Sequence, residues 1–250
     1  MKEILEIIQV KKQEFANLPL FQFMQDKGIN PRQRLSFAPC MAHFIMSFSD
    51  LNKYVFRDYA HYSHDQIQHM VNEHTQEDES HSSWFSIDLE KLELNHQWNF
   101  AKTINFIWSD ETKITRQISY QIAGLTLQAE PVIKLVAIEA LEAMGNTFFS
   151  VSSKITRELK TITGKEYMYF GESHLEVETG HTMNESDIEK YFTDIQLTQL
   201  QYEQAIDTVE KIFDIFSEWT YELLDYAHNH PVELIQYELE SSTSKLAIYR

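Results

Sequence analysis

The chain holds 250 residues, 43% hydrophobic and 24% charged, and its 38 acidic against 21 basic side chains give a formal net charge of −17. So acidic a surface is repelled by phosphate backbones and anionic lipid, which argues against nucleic-acid and membrane partners. Six Gly and five Pro are too few for the tight turns of an all-β fold, so an all-α bundle around one sizeable core is expected.

Residues 1–16 put Ile4, Leu5, Ile8 and Phe15 at helical spacing. Acidic residues lie among these apolar ones and no small-residue cleavage site follows, so a signal peptide is not expected. The turn DKGINPRQR then opens a second helix with Pro31 in its first position. This helix carries LSFAPCMAHFIMSFSDLNKYVFRD, apolar nearly all round and therefore central, with Pro39 kinking or breaking it. Cys40 is the only cysteine; it reads as a small core residue, excludes an internal disulfide and suits a reducing compartment.

Residues 58–65 read as a loop and 65–92 as a third helix. Residues 99–108 form a short helix, and SDET at 109–112 resembles an N-cap for a helix to about residue 128. Pro131 starts a long helix that TITGKEY breaks. Residues 169–182 are expected to be helical, with Gly171 and Gly180 unsettling the ends. MNESDIEKYF supplies another N-cap region, and LTQLQYEQAIDTVEKIFDIFSEWTYELLDYAHNH is the final helix. The expectation is seven to nine helices in a single domain over residues 1–230, with 231–250 a loosely packed tail. No apolar run reaches the ~18 residues of a membrane span, so a cytoplasmic protein is expected.

Three stretches carry candidate chemistry. In HLEVETGH, His174, Glu178 and His181 fall within about 60° of arc on a helix, while Glu176 faces elsewhere. Two imidazoles and a carboxylate on one stripe suit Fe, Mn or Zn, although a solvated stripe has the same pattern. In NEHTQEDESH, His74, Glu77, Asp78 and His81 share an arc of about 100°, which taken alone reads first as an exposed charged face. In VIKLVAIEALEAMGNTFFSV, Glu139 and Glu142 stand in an otherwise apolar run, with no Lys or Arg between Lys134 and Lys154. Burying a carboxylate costs several kcal/mol unless a positive or hydrogen-bonding group meets it. That group is a metal ion or a basic residue of another helix, such as Arg57 or Arg116. Together the stretches form the ligand set of a carboxylate-bridged dimetal site inside a bundle.

These residues resemble the heme-oxygenase-like diiron oxidases and oxygenases, whose fold is shared with thiaminase-like and pyrroloquinoline-quinone-synthase proteins. The family pattern of His-x3-Asp/Glu-x2-His reads here as His174, Glu178 and His181, its single earlier Glu as Glu142, and its first-helix His as His81. Where many members carry Glu seven residues before that first His, this chain has His74, so His74, Asp78 or Glu77 completes the shell. Likeness to nitrile-forming members extends over LPLFQFMQD, RLSFAPCMAHFIMSFSDLNKY and FIWSDET, and fades over the carboxyl-terminal tail.

The resemblance implies two Fe(II) ions, O2 as co-substrate, a homodimer, and oxidation of a small amine-containing substrate. That substrate is expected to be an aromatic amino acid, with a tryptophan-like one converted to a nitrile. Arg116, Arg57 or Lys134 would clamp the substrate carboxylate, Lys134 fitting better as a surface charge. Phe44, Phe48, Trp84, Phe148 and Phe149 would wall its pocket. Two other readings stand beside this one: a metal-free thiaminase-like hydrolase with Cys40 as nucleophile, and a non-catalytic helical binding protein.

Overall fold

The computed structural model describes residues 1–62, 64–77, 81–95, 98–176 and 194–232. Among them are nine α-helices and no strand: α1 (Lys2–Phe15), α2 (Pro19–Gln25), α3 (Ala42–Leu51), α4 (Gln66–Glu77), α5 (His81–Lys91), α6 (Phe100–Ile107), α7 (Lys113–Thr126), α8 (Pro131–Thr163) and α9 (Gln199–Asn229). A further helical stretch covers residues 172–176. None of the described helices is long and apolar enough to cross a membrane.

The axis of the bundle is α8, 33 residues and therefore about 50 Å long. Pro131 at its start suits a position whose N–H would find no helical partner, and Gly164, at φ 70°, ends it in the left-handed conformation. Helices α9, α1, α4 and α2 pack along α8, while α7 lies against α3 and α9. A capping box in which Thr198 and Gln201 exchange hydrogen bonds starts α9.

The second predicted helix needs correction. No α-helix starts at Pro31; the chain makes 3-10 turns at Gln33–Leu35 and Ala38–Met41 and becomes α-helical only at Ala42, once Pro39 has been passed. Residues Asn52–Phe56 then widen into a π-turn. Helix α2 was not foreseen; Leu20, Phe21 and Met24 are its core contacts. The cap of α7 is also not local. Glu222 of α9 accepts from the Ile114 and Thr115 N–H groups at 2.6 and 2.8 Å, and the Ser109 side chain makes no capping bond.

Lys134, read as a surface charge, is buried. Its Nζ donates to the Phe56 carbonyl at 3.2 Å, an oxygen that Gln68 also bonds at 2.9 Å. Burial lowers its pKa, and nearby Asp58 opposes that shift. A base held below its unfolded value makes the fold gain stability as pH rises from that lowered value towards about 10.5. Lys134→Met should therefore raise Tm by about 2–4 °C at neutral pH, roughly 1 kcal/mol, since Phe56 keeps its Gln68 bond. In thermal denaturation followed by circular dichroism, the advantage should shrink as pH approaches 10.

Candidate functional site

The distant acid and histidine residues meet. Helix α4 supplies His74, α5 begins with His81, α8 carries Glu142 near its middle, and the 172–176 stretch carries His174. His81, Glu142 and His174 are buried and line one cavity of about 110 Å³. The His81 and His174 rings lie 4.5 Å apart, and the Glu142 carboxylate accepts from His74 Nε2 at 3.0 Å. Glu139, three residues before Glu142, also feels His74, although burial dominates and pushes its pKa up. Among the described residues no group of three or more His, Cys, Asp or Glu could by itself hold a metal ion. Asp78, Glu178 and His181 lie outside the described residues, as does the side chain of Glu77.

The histidines are held by what surrounds them. His174 Nδ1–H donates to the Tyr169 carbonyl at 2.9 Å, which in the neutral ring leaves the lone pair on Nε2. Its ring packs against Phe149, Tyr169 and Trp84 at centroid distances of 3.8, 4.8 and 5.8 Å. Trp84 also stacks on His81 at 4.7 Å. An imidazole whose second nitrogen is tied to a backbone carbonyl is oriented as metal-ligating histidines are. The donors that border the cavity are imidazole and carboxylate, ligand types that suit iron or manganese.

A second set of contacts fixes Tyr169 itself. Buried Asp88 of α5 accepts from the Met168 and Phe170 N–H groups at 2.9 and 3.0 Å. Burial pushes the Asp88 pKa up, and the two backbone donors work against that shift. Ser152 and Thr156 of α8 donate to the Phe170 carbonyl at 3.0 and 3.2 Å. At Gly171 the turn passes so close to Tyr167 that an added Cβ would sit 1.9 Å from the Tyr167 carbonyl oxygen. A side chain there would push the backbone just ahead of His174. Asp88 was missed in the sequence, where Phe85, Asp88 and Leu92 occupy one helical stripe and mark it as an inward-facing acid.

The cavity is otherwise mostly apolar. Phe148, Phe149, Phe44 and Phe48 line it, whereas Trp84 stacks on the histidines; Phe216 and Trp219 of α9 also line it. Among the described residues no Lys or Arg lines it. Arg116 instead ties the turn between α6 and α7, donating to the Ile107 and Ser109 carbonyls and to Thr112 Oγ1. Arg57 bonds the Thr75 hydroxyl at 3.0 Å and the Thr75 carbonyl. Cys40 is buried outside the cavity lining, its Sγ 3.2 Å from the Glu111 carbonyl, and burial with neighbouring Glu222 pushes its pKa far up.

Comparison of the sequence with protein-family models and with curated proteins gives no match.

Gly171→Ala is expected to cost about 2 kcal/mol or more through overpacking. Asp88→Ala should cost about 2–3 kcal/mol by leaving two buried N–H groups without their acceptor, and Asp88→Asn, which keeps one acceptor oxygen, visibly less. Urea denaturation of the three variants checks the order.

Proposed function

We propose that the protein is a non-heme diiron enzyme that uses O2 to oxidise a small amine-bearing substrate held in the cavity beside His81, Glu142 and His174. The observation that carries this reading is that two imidazoles and a carboxylate from three distant stretches border one aromatic-lined cavity. His81, Glu142, His174 and His74 would hold the metal, together with Asp78, Glu178 and His181. Two ferrous ions in such a shell supply the electrons and open positions that O2 activation requires.

The protein's own groups have separable tasks. Glu142 brings negative charge to a site that a cation pair would neutralise, which offsets the cost of burying it. The Tyr169 carbonyl aims His174, and Trp84 and Phe149 keep its ring from turning. The Phe44, Phe48, Phe148 and Phe216 rings exclude water and bind the apolar body of the substrate. On this reading the substrate is an aromatic amino acid, and the resemblance to nitrile-forming enzymes makes a nitrile the expected product. Arg116 is engaged with the α6–α7 turn and does not line the cavity, so it is not the group that would meet a substrate carboxylate. The hydrolase reading loses support because the Cys40 thiol is held protonated and apart from the cavity lining.

Anaerobic Fe(II) loading of the purified chain should give close to two iron atoms per chain by elemental analysis. Glu142→Ala and His174→Ala should each bring this below one while leaving the far-UV circular dichroism intact, whereas Cys40→Ala should leave iron content unchanged. Asp88→Ala, acting through Tyr169, should weaken iron binding about 10- to 100-fold. Oxygen exposure with tryptophan should then yield an oxidised product by mass spectrometry. Undiminished iron in Glu142→Ala sinks the metal assignment; full iron loading without amino-acid turnover sinks only the substrate.

A further inference from the structure

A glycine inside a helix weakens it, because glycine loses more backbone freedom on folding than any other residue. One that no turn or cap requires calls for another reason. Gly145 stands within α8, and the helix runs through it unbroken from Pro131 to Thr163. The residues one turn away on either side, Leu141 and Glu142 before it and Phe148 and Phe149 after it, all line the cavity, as does Gly145 itself. At about 100° per residue these four fall within about 60° on either side of position 145. Gly145 is thus the centre of the face that α8 turns to the cavity. A side chain there would project into the space and lean back towards the Leu141–Glu142 turn, between the carboxylate and the two rings.

The other glycines with a structural reason differ. At Gly171 the missing Cβ avoids the Tyr167 carbonyl, and at Gly164 the backbone is left-handed. At Gly145 the place of a side chain is taken by the cavity. That cavity is small, about 110 Å³, so even one methyl group at position 145 removes space that a bound ring would occupy. Bare glycine backbone also lets a ligand approach the chain more closely than any other residue does.

We propose that Gly145 decides which substrates the cavity admits: the flat body of the substrate lies across its bare backbone, and a side chain at this position restricts the site to smaller molecules. The proposal rests on the reading of this cavity as the substrate's, and not on the metal.

Calorimetric titration of the iron-free full chain with indole tests it. Wild type is expected to bind indole, and Gly145→Ala to raise the dissociation constant about 10-fold or more, the effect of one methyl group in a filled pocket. Phenol, smaller by a ring, should lose less. Gly145→Ala should also raise Tm by about 1–4 °C, because alanine favours the helix and its methyl group enters open space. Gly124→Ala on α7, where an added Cβ meets nothing within 4 Å, should raise Tm likewise and leave indole binding as in wild type. The proposal is overturned if wild type binds no indole, if Gly145→Ala binds it as tightly, or if Gly145→Ala lowers Tm, which would make the glycine a packing requirement. Iron loading of Glu142→Ala decides the metal assignment separately, since indole binding to the iron-free chain does not depend on it.

Discussion

A carboxylate in the middle of a buried helix must be answered by something, and the arrangement around α8 follows from how Glu142 is answered. The apolar residues on either side of it make α8 the bundle's axis, and Glu142 is buried among them at the edge of the cavity. An isolated buried carboxylate would protonate or unfold the segment. Here α4 brings His74 to it, and α5 with the 172–176 stretch brings two further imidazoles to the same cavity. The neighbour shown bonded to the carboxylate is the His74 imidazole. A guanidinium would neutralise the charge permanently, whereas an imidazole can share the carboxylate with a cation and keep a lone pair for it. An imidazole neighbour is therefore compatible with a cation at this carboxylate, and the diiron proposal itself rests on the three stretches that border the cavity.

Holding those imidazoles still is a separate problem, and the turn before His174 deals with it. The backbone from Tyr167 to Gly171 is bound on one side by the Asp88 carboxylate and on the other by the Ser152 and Thr156 hydroxyls. The Tyr169 carbonyl within it accepts from His174. Asp88 is thus buried at some cost, seen in its raised pKa, in exchange for a fixed turn. The aromatic rings around His174 then act twice, as core and as a dry wall.

How far the sequence disclosed this depended on the range over which each residue is determined. Glu142 was legible because its apolar neighbours are local, and the same holds for Pro131 and Gly164 at the ends of α8. The choice of His74 as its hydrogen-bonding neighbour was not, since the partner lies 68 positions away and several groups were eligible. Glu222, which caps α7 from 108 positions away, left no local trace, and Ser109 looked the better cap. Lys134 misled because a lysine in the first turn of a helix is usually solvated; the π-turn that brings the Phe56 carbonyl to it depends on packing between helices. Pro39 was read as a break in a helix, but with Pro31 it leaves only 3-10 turns before Ala42. Asp78, Glu178 and His181, on which the full ligand set depends, fall outside the described residues.

The joining of acid and pocket on one element has its own consequence. Glu142, Gly145 and Phe149 recur at i, i+3 and i+7 on α8, and Leu141, Met144 and Phe148 do the same one step behind; all six line the cavity. Two helical turns, about 10 Å, therefore carry the polar end of the site, a residue with no side chain in its midst, and the aromatic wall. Because these groups sit on a single rigid helix, their mutual distances are fixed by helical geometry rather than by loop packing. A molecule lying against this face would meet the carboxylate with one end and the Phe148 and Phe149 rings with the other. That geometry favours a substrate with its heteroatoms gathered at one end and an uncharged body about the length of an amino-acid side chain.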